Sequence, residues 1–382
     1  MTLLDQVAAV RQLPPPTTLK VGLVARSDAS KLIDSLLTAQ DRATMAKKTT
    51  LYRLLGLLAP DQDYLDVYRA FVGESLAGLY SPQQKALWIV HPDGTSTDFA
   101  NVGGQEMQTL EHELVHAVQD ANFNLSAISD STAGLDQALA ATALVEGDAV
   151  STQRNYDAKY AAIAAGGTVI LARFDNLDAA APPAFVREMT FPYTDGADWV
   201  DGIRGRGGDA AVDSLFKHPP DGTVYVFHPE RISTGWTPQA VTLPPLAAVL
   251  GKGWTKQSGG QFGQFEVQNY LQLGLPGLQA VQGADGWAGD HYDVYTHGSD
   301  STATFRIVFG TASEAQRFAK AQDALLKAQG AGTASVDGGM TSLSLSGGRT
   351  TVRLPADGPT VTFVVGSAPE IAKQAAAVLA HG

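Results

Sequence analysis

The sequence predicts an α+β protein with a mostly helical core, a small antiparallel sheet and a C-terminal β-α-β-β-β-α module. Three observations lead to this prediction. Helical patterns of apolar residues occupy most of residues 29–217. A strand–turn–strand pattern interrupts them at residues 79–90, and strands with two helices follow from residue 302 onward.

The length of the chain favours a division into three parts. With 382 residues the chain is long enough to form more than one hydrophobic core. Residues 1–28 are predicted as an N-terminal extension, which contains the stiff segment Pro14-Pro15-Pro16. We expect the core at residues 29–297 and the C-terminal module, packed on that core, at residues 298–382.

In the core, we expect helices where apolar residues recur at helical spacing. These segments are residues 30–48, 49–59, 64–77, 105–121, 132–164, 194–204, 210–217 and 264–273. The predicted hairpin GLYSPQQKALWIVHPDG lies between the third and the fourth of them, with Ser81-Pro82-Gln83-Gln84 as its turn. The Pro-rich and Gly-rich region at residues 165–245 also contains loops, which we expect to fold over a cleft.

The C-terminal module follows from the order of its elements. The predicted order is a strand at 302–309, a helix at 313–329, strands near 341–346, 350–355 and 360–365, and a helix at 369–380. This order is typical of a small antiparallel sheet with two helices.

Composition excludes several classes of protein. The chain has 27 basic and 39 acidic residues, and its net charge of −12 argues against a nucleic-acid partner. It has no cysteine, which excludes disulfides, thiol catalysis and cysteine-rich zinc sites. Neither a secretory signal nor a membrane span is evident, so we expect a soluble chain whose compartment and oligomeric state stay open.

The main functional signal is the motif His112-Glu113-Leu114-Val115-His116. On a helix, residues four apart lie on the same face, so both imidazoles can bind one metal ion. Glu113 lies about 100° around the helix from His112, where it can hold a metal-bound water without being a ligand. Zinc is the metal expected for a site of His and carboxylate ligands.

The third ligand is expected from the next long helix. Glu146 is the strongest candidate because its helix can pack antiparallel to the first one; the alternative is an ion pair between Glu146 and Arg154. Gly147 interrupts a strong helical pattern, which indicates that another backbone approaches closely there. Asp148 and Asp120 are candidates to orient the ligating imidazoles.

The order of this motif, about 30 residues and then Glu146-Gly147 resembles that of the gluzincin zinc metallopeptidases. The resemblance implies a zincin-like metallopeptidase core that binds one zinc ion through His112, His116 and Glu146. It also implies hydrolysis of peptide bonds in a peptide or protein substrate, with Glu113 assisting the attack of a zinc-bound water.

Blocks such as HELVHAVQDANFNL, ALVEGDA, FPYTDGADWV and GWAGDHYDVY are similar to those of a group of bacterial gluzincin-like proteins. This similarity is compatible with an exported or cell-envelope location. His291 stands where we would expect an arginine in that group.

The residue that stabilises the oxyanion is not determined by the motif. Five residues have suitable chemistry: Tyr193, His228, Tyr292, Tyr295 and His297. We select His228 and Tyr292 as catalytic candidates beside Glu113. Two other readings stay open: a catalytically inactive zinc-binding protein that acts as a binding or scaffold module, and a structural protein without metal.

Overall fold

The computed structural model describes residues 2–92, 104–132, 134–160, 181–345 and 347–381. Helices and strands are mixed, and most strand pairs are antiparallel, which confirms the α+β class. The helices described are α1 (Leu3–Arg11), α2 (Ala29–Leu36), α3 (Ala39–Leu55), α4 (Tyr64–Ser75), α5 (Gly104–Phe123), α6 (Leu125–Asp130), α7 (Leu135–Tyr160), α8 (Pro183–Thr190), α9 (Asp195–Lys217), α10 (Val224–Phe227), α11 (Glu230–Thr234), α12 (Ala247–Leu250), α13 (Gly263–Leu271), α14 (Gly277–Ala284), α15 (Ala312–Ala328) and α16 (Pro369–His381).

The strands belong to two sheets. They are β1 (Lys20–Ala25), β2 (Gly78–Ser81), β3 (Ala86–His91), β4 (Thr255–Gly260), β5 (Trp287–His297), β6 (Asp300–Phe309), β7 (Ser335–Asp337), β8 (Met340–Ser344), β9 (Thr350–Arg353) and β10 (Thr360–Gly366). The smaller sheet has the order β1-β3-β2, and the larger one has the order β4-β5-β6-β10-β9-β8-β7. The antiparallel pair β2–β3 confirms the predicted hairpin.

The N-terminal segment belongs to the core rather than forming the extension predicted for residues 1–28. Strand β1 pairs in parallel with β3, from Lys20 opposite Ala86 to Ala25 opposite His91. Helix α1 packs against α5, and Arg11 at its end is fully buried. Such pairing joins segments more than sixty residues apart, so no local pattern in β1 or α1 could show it.

The boundary predicted at residues 297/298 falls inside a single hairpin. Strands β5 and β6 pair along most of their length, ending with His297 opposite Asp300. The C-terminal sheet therefore begins at β4 and not after residue 297. It also contains β7, which the predicted β-α-β-β-β-α order lacks; its three residues are all exposed and show no apolar alternation.

Two predicted helix boundaries are shifted. The first break lies near Thr38, not between residues 48 and 49, because Thr38 caps α3 by exchanging hydrogen bonds with Asp41. The helices predicted at 194–204 and 210–217 form one element, α9, with a kink at Gly208, where φ is +66°. Glycine adopts this left-handed conformation without the steric strain that a Cβ would cause.

Apolar packing holds α5 in the centre of the N-terminal half. Its Leu114 and Val115 belong to the same buried apolar cluster as Val7 of α1 and Leu87 and Ile89 of β3. Each such side chain stabilises the fold by about 1.5–3 kcal/mol when fully buried. In the part of the chain that the structure describes, no helix combines the length and the apolar character needed to span a bilayer.

Candidate metal centre

Helices α5 and α7 carry the predicted ligands and run antiparallel, as predicted from the sequence. Gln119 Nε2, in the later part of α5, donates to the carbonyl of Val145 at 3.0 Å. Gln153 Nε2, in the later part of α7, donates to the carbonyl of Gln108 at 2.8 Å. These two bonds join the late part of each helix to an earlier part of the other.

The side chains of His112, His116 and Glu146 converge on one point. The two Nε2 atoms lie 3.1 Å apart, and each lies 3.2 Å from Oε2 of Glu146. Only 4% and 8% of the two imidazoles and 18% of the carboxylate side chain are exposed. The three residues could therefore hold one metal ion. The alternative ion pair does not form, because Arg154 pairs with Asp201 of α9 instead.

Protonation of this cluster is governed by its own charges. Burial lowers the pKa of His116, but the Glu146 carboxylate outweighs this effect, and the pKa rises to about 9. Burial raises the pKa of Glu146, but the nearby His116 and His112 lower it by more. The pKa of Glu146 therefore lies well below the usual range. Because metal binding displaces protons from such ligands, a cation at this point would compete with a proton on His116.

One predicted ligand, His116, is oriented by Gln119, which is not among the residues selected from the sequence. Gln119 Oε1 lies 2.9 Å from His116 Nδ1, and Gln119 Nε2 donates to Asp148. Asp148 thus reaches the imidazole through an amide, whereas Asp120 accepts the hydroxyl proton of Tyr80. A signal was available, since a residue three positions after His116 lies close to it on a helix.

The predicted close approach at Gly147 is confirmed. A Cβ on this residue would collide with the carbonyl of Gly196, at the start of α9. In turn, a Cβ on Gly196 would lie 2.7 Å from the carbonyl of Ala143. Two glycines thus bring the backbones of α7 and α9 into contact directly beside Glu146.

This contact places Tyr193 over the ligands. Its ring stacks on the imidazole of His112, with the centroids 6.2 Å apart. Its side chain also hydrogen-bonds Glu146. Tyr193 was among the five oxyanion candidates, and the structure is what singles it out.

Glu113 lies beside strand β2 in the same cavity. A Cβ on Gly78, the first residue of β2, would lie 3.0 Å from Cγ of Glu113. The strand therefore passes directly over α5, and its backbone forms part of the cavity wall. The cavity has a volume of about 620 Å³, and apolar side chains such as Phe71, Leu125 and Leu139 contribute to its walls.

The structure does not bring His228 and Tyr292, the two further catalytic candidates, to this site. Neither lines the cavity that contains the ligands. His228 follows α10, and its Nε2 lies 3.2 Å from Nε2 of Gln264. Tyr292 is a core residue of β5, where its ring packs against Phe262 and Phe305. Strand periodicity places Tyr292 on the buried face of a sheet whose residues do not line the cavity with His112, His116 and Glu146.

Comparison with known proteins gives one family match. A family described as a domain of unknown function (DUF8575) matches residues 255–376, from the start of β4 into α16. No curated protein and no solved structure matches the chain. The matched residues include neither the three ligands nor Glu113, so this similarity leaves the chemistry of the site to its geometry.

Proposed function

We propose that this chain is a zinc-dependent metallopeptidase of the gluzincin type with a zincin-like core. His112, His116 and Glu146 would be the ligands and Glu113 the general base. The observation that carries the proposal is the convergence of three donor atoms within 3.1–3.2 Å of one another, beside the glutamate of the same motif. The order of elements supports it, because α5 lies beside an edge strand and α7 supplies the third ligand.

The donor set fits zinc. Two imidazole nitrogens and one carboxylate oxygen form the ligand set of several catalytic zinc sites. Metal–ligand bonds of about 2.0–2.2 Å in a tetrahedral site place neighbouring ligand atoms roughly 3.3 Å or slightly more apart. The three donors have nearly this spacing already, so little rearrangement is needed to load the site.

Each remaining step can be assigned to a residue of the chain. Zinc at this position would supply a Lewis acid that polarises the scissile carbonyl and acidifies water. The Glu113 carboxylate takes a proton from the attacking water and delivers it to the departing amine nitrogen. The Tyr193 hydroxyl donates to the carbonyl oxygen as that oxygen gains negative charge.

A peptide substrate suits the strand beside the ligands. Among the described strands, β2 pairs only with β3, so the backbone groups on its other side are available to an extended peptide. The cavity wall includes Gly78, Leu79 and Tyr80 of this strand. A peptide paired with β2 would pass directly along Glu113.

The test is metal content together with cleavage of a mixed peptide library, followed by mass spectrometry. Wild type should contain one zinc ion and cleave members of the library. Glu113→Gln should keep zinc and lose at least about 100-fold in turnover, because an amide cannot accept the proton.

Glu111→Gln is the matched control, since Glu111 is buried on the same helix but does not line the cavity. It should retain both zinc and turnover. Wild type without bound zinc would overturn the metal centre. If wild type binds zinc but is as inactive as Glu113→Gln, the chain is instead a catalytically inactive zinc-binding protein.

A further inference from the structure

A buried polar chain connects the ligand His116 with the N-terminal helix. His116 Nδ1 contacts Gln119 Oε1 at 2.9 Å, and Gln119 Nε2 donates to Asp148 Oδ2 at 2.9 Å. Asp148 also accepts from Arg11 Nε at 2.8 Å and from Arg204 at 2.5 Å. Arg11 is the last residue of α1, so the chain of contacts runs from the start of the protein to the site.

We propose that Arg11 is a positioning residue of the metal centre, which makes α1 a required part of the site. This inference rests on the proposed function, since it concerns the geometry of the zinc ligands. It assigns a role to a segment that contributes no ligand and no catalytic group.

Charge explains why Asp148 needs Arg11. The Asp148 side chain is 0% exposed, and an isolated carboxylate cannot be buried without a large cost. Arg11 is 0% exposed as well, and it pairs with Asp213 at 2.6 Å besides Asp148. Without Arg11, Asp148 keeps Arg204 as its remaining cationic partner among the described residues, and losing part of a buried ion cluster is more damaging than losing an exposed pair.

The amide of Gln119 transmits this arrangement to the ligand. Its Nε2 faces two acceptors, the Val145 carbonyl and Asp148, so its Oε1 must face His116. When Oε1 accepts the Nδ1 proton of His116, Nε2 is the nitrogen left to bind a metal, and it points at His112 and Glu146. If Asp148 shifts or is neutralised, one of the two contacts that hold this orientation is lost.

Helix α1 is held firmly enough to position Arg11. Its Val7 is buried against α5, and the Tyr156 hydroxyl of α7 donates to Gln6 at 2.9 Å. Helix α1 therefore rests on the two helices that carry the ligands.

The experiment measures zinc affinity by competition with a chromophoric chelator, using the full chain. Arg11→Met keeps the bulk of the stem and should weaken zinc binding about 10-fold to 100-fold, the range found when residues that orient ligands are replaced. Arg11→Lys should also weaken it, because an ammonium cannot reproduce the planar fork that contacts Asp148 and Asp213. The visible spectrum of bound Co²⁺ should change in both variants.

Two controls separate positioning from general loss of stability. Gln12→Ala removes an exposed bond to Asp209 next to Arg11 and should leave the zinc affinity unchanged. Arg353→Ala breaks the pair with Asp323 in the C-terminal half and should lower stability without altering zinc affinity or the Co²⁺ spectrum.

Zinc affinity equal to that of wild type, in whichever Arg11 variant folds, overturns the proposal while leaving the metal centre intact. Wild type that binds neither zinc nor Co²⁺ would overturn the metal centre, and the role of Arg11 with it. The two failures are therefore distinguishable.

Discussion

Tyr193 lies at the place where negative charge would develop in the proposed reaction. Burial, followed by the charges of Glu146 and Glu113, raises the pKa of its phenol well above the usual range. The hydroxyl therefore keeps its proton at neutral pH and can act as a donor but not as a base. Since the chain has 11 tyrosines, no local signal distinguishes this one from Tyr292 or Tyr295.

Replacing Tyr193 by Phe should lower kcat about 100-fold, the effect of losing one donor to an oxyanion. The zinc content and KM should change little, because the ring still stacks on His112. Peptide turnover and metal analysis of the purified variant measure these quantities. Tyr292→Phe is the control and should retain full turnover; the opposite pattern would return the role to Tyr292.

Among the elements, the contact between α7 and α9 determines the geometry around Glu146. The pair Gly147 and Gly196 allows the two backbones to touch, and buried ion pairs such as Arg204–Asp148 join the same helices. Helix α9 begins two residues after Tyr193, at Asp195, so the contact also determines where that ring lies. Glycine lowers the stability of a helix, but a residue with a Cβ cannot fit at these two positions.

We expect Gly147→Ala to lower the free energy of unfolding by about 2–3 kcal/mol, because its methyl group would overlap the carbonyl of Gly196. Urea unfolding of the metal-free protein measures this change. Gly205→Ala, on the exposed part of α9, has open space around it and should instead stabilise the protein by roughly 0.5–1 kcal/mol. Equal stability of Gly147→Ala and wild type would mean that the helices separate without cost.

Across the whole molecule, a buried polar cluster joins the N-terminal helices to the C-terminal sheet region. The Tyr52 hydroxyl of α3 lies within hydrogen-bond distance of Glu188 of α8 and Glu266 of α13. One hydroxyl has a single proton, so it can donate to only one of the two carboxyl groups. Burial and the nearby Glu188 raise the pKa of Glu266 to about 7, which makes Glu266 the protonated partner.

This cluster should make stability depend on pH. The ordinary pKa of the Glu266 carboxyl is 4.5, so between about pH 4.5 and 7 the folded chain holds a proton that the unfolded chain has lost. Its contribution is complete below the unfolded pKa and is lost as the pH rises through about 7. Glu266→Gln mimics the protonated acid, because its amide can donate to Tyr52 and accept from Asn269.

The free energy of unfolding of wild type, measured with a chelator present, should therefore fall more steeply between pH 5 and pH 8 than that of Glu266→Gln. Glu370→Gln, which alters an exposed carboxyl of α16, should follow the wild-type curve. Parallel curves for wild type and Glu266→Gln would show that Glu266 is ionised in the folded protein.

Local patterns predicted most of the helices and the three side chains that converge at the candidate site. The helical period places His112 and His116 on one face at a fixed separation in sequence, and Glu146 followed from a second helix of suitable length and spacing. The same kind of signal identified the β2–β3 hairpin. Gly147 indicated a close backbone contact, because glycine destabilises a helix and is expected where a larger residue cannot fit.

The sequence by itself thus determined the α+β class, most of the elements and the candidate ligands, since these depend largely on neighbours a few positions away. Only the tertiary structure decided that Tyr193 stacks on His112, that Arg11 pairs with Asp148 from 137 positions away, and that α1 and β1 belong to the core. Such contacts depend on how distant segments pack, and equivalent residues elsewhere in the chain carry the same local signature. The packing of α1, α7 and α9 with α5 therefore brings the residues of the motif together with Glu146, Tyr193 and Arg11.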